Sequence, residues 1–313
     1  MKALKYLWIN TIISIFLIAS FFWVVVCVPK QVFYEAYQSF IQDKFKSLLN
    51  TDKPKIILVG GSNLAFGIDN DLLAAGTEYE VVNLGLHAGF GQLFVCELSK
   101  ANINPGDIVI LSCEHYWPND GAFDSFGSDL VMSGIDDEIS MYKYIPKNKW
   151  KSVIGYLPEF AKKKNEAMRK GVEKSKIFSR DSFSPDTLNY IADRPECIIN
   201  IDEVRGSQDA ADIISEKSIK YLKKYKEYVE QQGASVYFAD TPILDISLNC
   251  DVSKFEKLHN MEESMIGIPY ITNQRDYLFS TEYIFDSINH CNNAGQRLRT
   301  ELLIRDIKRE FDK

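Results

Sequence analysis

The chain has 313 residues, 46% of them hydrophobic, and a formal net charge of −7, so it is long enough and apolar enough to bury a sizeable core. The acidic balance argues against general nucleic-acid binding, which needs a basic face. Six cysteines without a single C-x-x-C pair leave zinc-ribbon and thioredoxin readings unsupported.

From Leu7 to Val28 no side chain is charged, a run of 22 residues. As a helix it would cover roughly 33 Å, enough for a bilayer core. A cleaved signal peptide would have a shorter apolar region and a small-residue cleavage site, which Phe22, Trp23 and Val24 to Val26 do not supply. Lys2 and Lys5 precede the run and only Lys30 follows closely. The positive-inside rule therefore puts residues 1–6 in the cytoplasm, 7–28 in the membrane and everything after Pro29 outside. Export makes disulfides possible for the five cysteines beyond the span. Most read as buried small apolar residues, and a pairing of Cys197 with Cys250, both in loop-like sequence, is left open.

Residues 29–50, mixed aromatic and polar, read as a helical stalk, and residues 51–313 as the main domain. Lys55 to Gly60 (K-I-I-L-V-G) predicts a strand buried on both faces and closed by a Gly-Gly-Ser-Asn turn. Glu80 to Leu84 and Asp107 to Ser112 predict two more strands, with a helix over Phe90 to Ala101 between them. The rhythm resumes with a helix over Ala211 to Gln232, a strand over Ala234 to Ala239 and a helix over Lys254 to Met265. A short strand over Ile268 to Ile271 and a final helix from Asn293 to Phe311 complete the series. Such alternation predicts an α/β fold with a parallel sheet covered on both faces. Residues from about 117 to 209 interrupt it and read as an insertion. Within this stretch, Lys143 to Lys176 carries eleven Lys and Arg against three Glu.

Ligands of open α/β sheets bind at the carboxyl ends of the strands, so the residues just after each strand are the ones to weigh. A serine hydroxyl becomes a nucleophile when a base removes its proton and a third group holds that base's tautomer. Ser62 after the first strand, with His290 and Asp286 near the C-terminus, supplies these three types. Gly60 and Gly61 permit the tight turn that presents the serine. Gly85 would let a second backbone N–H approach beside that of Ser62, forming an oxyanion hole.

At these residues the chain resembles the SGNH/GDSL hydrolase family. Gly60-Gly61-Ser62-Asn63 is similar to its first block, with Gly61 where Asp is usual. Asn83-Leu84-Gly85 is similar to its second, and Asp286 to His290 to its last, with four residues separating acid and base instead of three. The family's third block would bring an Asn to the oxyanion, but this strand ends in Glu114-His115-Tyr116. Asn63 or Asn119 is then the candidate substitute, and Glu114, His115 and Tyr116 are expected to face substrate.

The resemblance implies a three-layer α/β/α fold, SGNH/flavodoxin-like, behind one transmembrane helix. It also implies serine-dependent esterase or O-acyltransferase chemistry on a cell-surface glycan, acetyl being the expected acyl group. A membrane-bound O-acyltransferase would be the natural partner, and no cofactor is expected. The alternative is an inactive membrane-tethered scaffold that binds a glycan or a partner. A metal site formed by His87, His115 and Glu114 lacks H-x-H or H-E-x-x-H spacing. The basic segment reads as a solvated helix face. Trp150, Tyr156 and Phe160 within it keep the alternative open, contact with lipid headgroups or an anionic glycan.

Overall fold

The computed structural model describes residues 2–113 and 125–311. Its centre is a four-stranded, all-parallel sheet in the order β2-β1-β3-β4. The strands are β1 (Lys55–Gly60), β2 (Glu80–Asn83), β3 (Ile108–Ser112) and β4 (Ser235–Phe238). Every residue of β1 and β3 is buried, as their unbroken apolar runs require. Register pairs Ile57 with Val82 on one side and with Val109 on the other.

Among the described residues the longer helices are α1 (Lys2–Cys27), α2 (Ile41–Asn50), α3 (Ser62–Gly67), α4 (Asn70–Thr77), α5 (Gln92–Ser99), α6 (Ser128–Ile135), α7 (Trp150–Lys170), α8 (Glu216–Gln231), α9 (Ser253–Ile266) and α10 (Asn293–Phe311). Because side chains alternate along a strand, the sheet divides its residues between two cores. Ile57, Val59, Val109, Leu111 and Phe238 pack with residues of α2, α5, α6, α7 and α8. Ile56, Leu58, Ile108 and Ile110 pack with Leu64 of α3, Leu73 of α4 and Leu303 and Ile307 of α10.

Local chemistry fixes the helix ends. Asp69 caps α4 by accepting from the amides of Asp71 and Leu72, and Ser215 caps α8 by accepting from Ser218. Gly171 ends α7 at φ +80°, a conformation that favours glycine.

Several expectations need correcting. The presumed stalk does not project: Phe40, Ile41, Phe45 and Leu48 lie in the main core. The insertion is equally integral, since Val131, Ile135, Val153, Leu157 and Phe160 join that core. The expected strand at 268–271 reduces to one parallel bridge between Phe238 and Tyr270. An unforeseen pair, β5 (Ile243–Leu244) and β6 (Leu278–Phe279), forms a second small parallel sheet. All six cysteines are free thiols, so Cys197 and Cys250 do not pair.

Helix α1 is long and apolar enough to cross a membrane over Leu4–Cys27. Only its end is built into the domain, where Val25 and Val26 are buried. Lys164 of α7 donates to the Val26 carbonyl at 3.0 Å and pairs with Asp136 at 2.6 Å, both side chains being almost fully buried. Breaking one partner of such a pair strands a charge, so the lock joins α1 firmly to the insertion.

Beyond the carboxyl end of β4, a buried polar cluster links His259 to Asp240 at 3.1 Å and Glu262 to the Tyr270 hydroxyl at 2.5 Å. Burial pushes Glu262 up to about 7. Burial opposes the charged form of His259, but its hydrogen bond and attraction to Asp240 prevail and raise it. Both groups hold protons more tightly folded than unfolded, so their contribution to stability falls as pH rises. For Glu262 the window runs from about 4.5 to about 7, and its span is worth roughly 3 kcal/mol. Thermal unfolding of the wild type and Glu262→Gln across that window should therefore give a stability difference that grows in favour of the variant as pH rises. A difference independent of pH would refute the assignment.

Candidate active site

Strand β1 delivers Ser62 at the start of α3. Gly60 is required there, because a Cβ at this position would sit 2.2 Å from the Ser112 carbonyl oxygen of β3. The partner residues come from the far end of the chain. Phe285 donates its amide to the His290 carbonyl at 2.8 Å, and His290 donates its own to Ser287 at 3.0 Å. These bonds close a turn that presents Asp286 and His290 side by side, which accommodates their four-residue spacing. The turn is seated on β5 through Leu244, which donates to the Ile288 carbonyl, and through Asn289, which donates to that of Pro242.

His290 Nε2 lies 2.8 Å from Ser62 Oγ, and its Nδ1 lies 2.7 Å from Asp286 Oδ1. A carboxylate only accepts, so Nδ1 carries the proton and Nε2 is left to accept from the serine hydroxyl. The His290 and Asp286 side chains are 15% and 19% exposed, enough to admit a substrate while limiting competition from water. Phe66 of α3 stacks on the imidazole at 4.4 Å, with an interplanar angle of 4°, and fixes the plane of the ring.

Two residues expected to serve the oxyanion are otherwise engaged. The Gly85 amide donates to Asn83 Oδ1 at 2.9 Å. Gly85 is instead a packing glycine, since a Cβ there would lie 2.3 Å from the Cβ of Leu64. Asn63 is fully buried; its amide donates to the Ser112 carbonyl and its Oδ1 accepts from Arg299. These bonds lock α3 to the sheet. The next turn lies against Gly61, the residue that precedes Ser62. A Cβ built on Gly61 would sit 3.3 Å from the Ala88 nitrogen and 3.2 Å from its Cα. Nothing in the sequence marks Ala88 as a neighbour of this turn, because a backbone contact leaves no chemical signature in a side chain. Glu114, His115, Tyr116 and Asn119 lie outside the described residues.

Three further residues were missed. Asn83 donates to the Leu64 carbonyl and to Asn70, tying the end of β2 to α3 and α4. Arg194, 1% exposed, donates to the carbonyls of Phe66 and Cys291 and so clamps the two segments that carry Ser62 and His290. Arg299 of α10 donates to the Asn63 carbonyl at 2.5 Å and to Ser112 Oγ at 2.8 Å. An arginine far along the chain reads as a surface residue until the fold brings it inward.

No protein-family model matches the chain, and no curated protein is significantly similar to it.

Proposed function

We propose that the chain is a membrane-anchored, extracytoplasmic serine esterase or O-acyltransferase of SGNH type, with a three-layer α/β/α domain, acting on a cell-surface glycan. The observation that carries this reading is the continuous hydrogen-bonded series Ser62, His290, Asp286. Ser62 Oγ attacks the acyl carbonyl as His290 Nε2 takes its proton, and Asp286 steadies the resulting imidazolium. Negative charge developing on the carbonyl oxygen meets the amides of Ser62 and Ala88, in place of the Gly85 amide first expected. His290 then protonates the leaving alkoxide. A second hydroxyl, from water or from an acceptor, gives its proton to His290 and releases the acyl group from Ser62.

Fluorophosphonate labelling of the full chain tests the assignment, since only a base-activated serine reacts readily with such a probe. Ser62 should be the labelled residue, and both Ser62→Ala and His290→Ala should abolish the label. Labelling that survives Ser62→Ala would refute the nucleophile.

A further inference from the structure

A cavity of about 500 Å³ lies between the segment that leaves α1, helix α7 and the turn beside the nucleophile. That volume is in the range of small-molecule sites. Its inner end is marked by His87, next to the Ala88 that lies against Gly61. Phe178, also in its wall, has its ring 6.1 Å from Phe66, the residue stacked on His290. Through His87 and Phe178 the cavity approaches the Ser62–His290 pair, one intervening residue away on each side.

Its outer end points to the apolar helix. Phe33 in the wall is stacked at 5.6 Å on Phe160 of α7, and α1 ends only six residues earlier. Six residues span at most about 20 Å, so the cavity opens close to the level where α1 emerges. The position is held by the Lys164–Asp136 pair, because Asp136 also accepts from the Phe33 amide at 3.3 Å. Phe22 of α1 packs edge-on against Tyr142 at 5.3 Å and lies 6.0 Å from Trp150, at the start of α7.

The walls favour an alkyl chain over a polyanion. Lys163 is paired with Asp129 and Glu166 with Lys170, so neither side chain offers an uncompensated charge to a ligand. The Tyr37 hydroxyl donates to the Leu86 carbonyl and the Gln38 amide to Ser133, so both turn polar atoms to the protein. Glu173 is exposed and lies at the solvent side, and His87 accepts from the Gly89 amide; the rest of the wall includes Phe33, Ala36, Leu130, Val172 and Phe178.

We propose that this cavity is the subsite for the acyl chain of a bilayer lipid ester, which makes the lipid the acyl donor. The proposal rests on Ser62 as nucleophile and on α1 as a membrane anchor. Ser62 Oγ bonds to the lipid's carbonyl carbon and the ester C–O bond breaks. The proton that His290 took from Ser62 leaves on the freed lipid alcohol, while the chain stays against Phe33 and Phe178.

The test separates binding from chemistry. Full-length Ser62→Ala chain is reconstituted into vesicles of phosphatidylethanolamine and phosphatidylglycerol containing a phosphatidylcholine with a diazirine on its acyl chain. Photo-crosslinks, mapped by mass spectrometry, are expected on residues 33–38 and 167–178 as well as on α1. Adding Ala167→Trp, which fills the wall, should cut the cavity crosslinks about tenfold and leave those on α1 unchanged. Met168→Trp, one residue along and 54% exposed, should change neither. Crosslinks confined to α1, or cavity crosslinks indifferent to Ala167→Trp, would overturn the proposal, as would their absence everywhere. Fluorophosphonate labelling of the wild type scores the nucleophile separately, so failure of the catalytic reading and failure of the lipid subsite are distinguishable.

Discussion

Asp286→Asn is expected to lower kcat on an activated acyl ester by about 10³ to 10⁴, with KM nearly unchanged. The reason is the tautomer. Asp286 Oδ1 accepts the Nδ1 proton of His290 at 2.7 Å, which leaves Nε2 as the acceptor facing Ser62 at 2.8 Å. An asparagine amide can donate to Nδ1 instead, which moves the ring proton to Nε2 and removes the base without altering the shape of the site. The imidazolium formed during reaction also loses its compensating charge. Because the substrate touches neither atom of this hydrogen bond, ground-state binding should be spared. Steady-state kinetics on a soluble nitrophenyl ester measures both parameters. A variant that keeps more than half of the wild-type kcat would show that another group orients His290.

The central strands were legible because burial on both faces leaves an unbroken apolar run, as in Ile56 to Val59 and Ile108 to Leu111. Helix α10 was legible to its ends, Asn293 and Phe311, for a related reason: a Cys-Asn-Asn-Ala-Gly start preceded a regular stripe. Ser62, His290 and Asp286, which the fold brings within hydrogen-bond distance, were legible because the proposed chemistry needs those side chains at strand ends. The proposed oxyanion donor was not, since the Gly85 amide is taken by Asn83 Oδ1 and no sequence pattern displays that bond. Asn63 misled because an amide beside a reactive serine suits catalysis, while its burial follows from Arg299, 236 residues away.

The insertion was illegible for a different reason. Its helices carry charges that normally mark solvent, yet Lys164 and Asp136 are buried together against the end of α1. Two buried opposite charges look, in sequence, like two exposed ones. The same holds for Lys55 and Asp107, fully buried at 2.7 Å beneath the sheet, and for Lys44, which donates to the Asn83 carbonyl at 2.9 Å. Burial pulls that lysine down to about 7. The basic stretch from Lys143 to Lys176 is thus divided between exposed lysines and one that holds the domain to its apolar helix.

Arg299→Met should destabilise the chain by about 3–5 kcal/mol, while Arg297→Met two positions earlier should stay within about 0.5 kcal/mol. Arg297 is 76% exposed and pairs with Glu301, an interaction largely offset by water. Arg299 is 2% exposed and donates to the Asn63 carbonyl, Asn63 Oδ1 and Ser112 Oγ. Methionine fills much of the space but leaves those buried oxygens without these donors, at about 1–3 kcal/mol each, partly offset by removing a costly buried cation. Thermal unfolding should register the loss as a midpoint lower by roughly 10 °C. A second effect distinguishes this arginine from an ordinary core residue. Asn63 follows Ser62 directly in α3, so freeing it lets the nucleophile drift from His290. Fluorophosphonate labelling of the folded fraction, measured well below the new midpoint, should therefore slow as well. Arg299→Lys should recover part of the stability but little of the labelling rate, because an ammonium cannot reproduce the planar fork that spans Asn63 and Ser112. Full labelling by a destabilised Arg299→Met variant would mean that α3 holds Ser62 in place without the arginine.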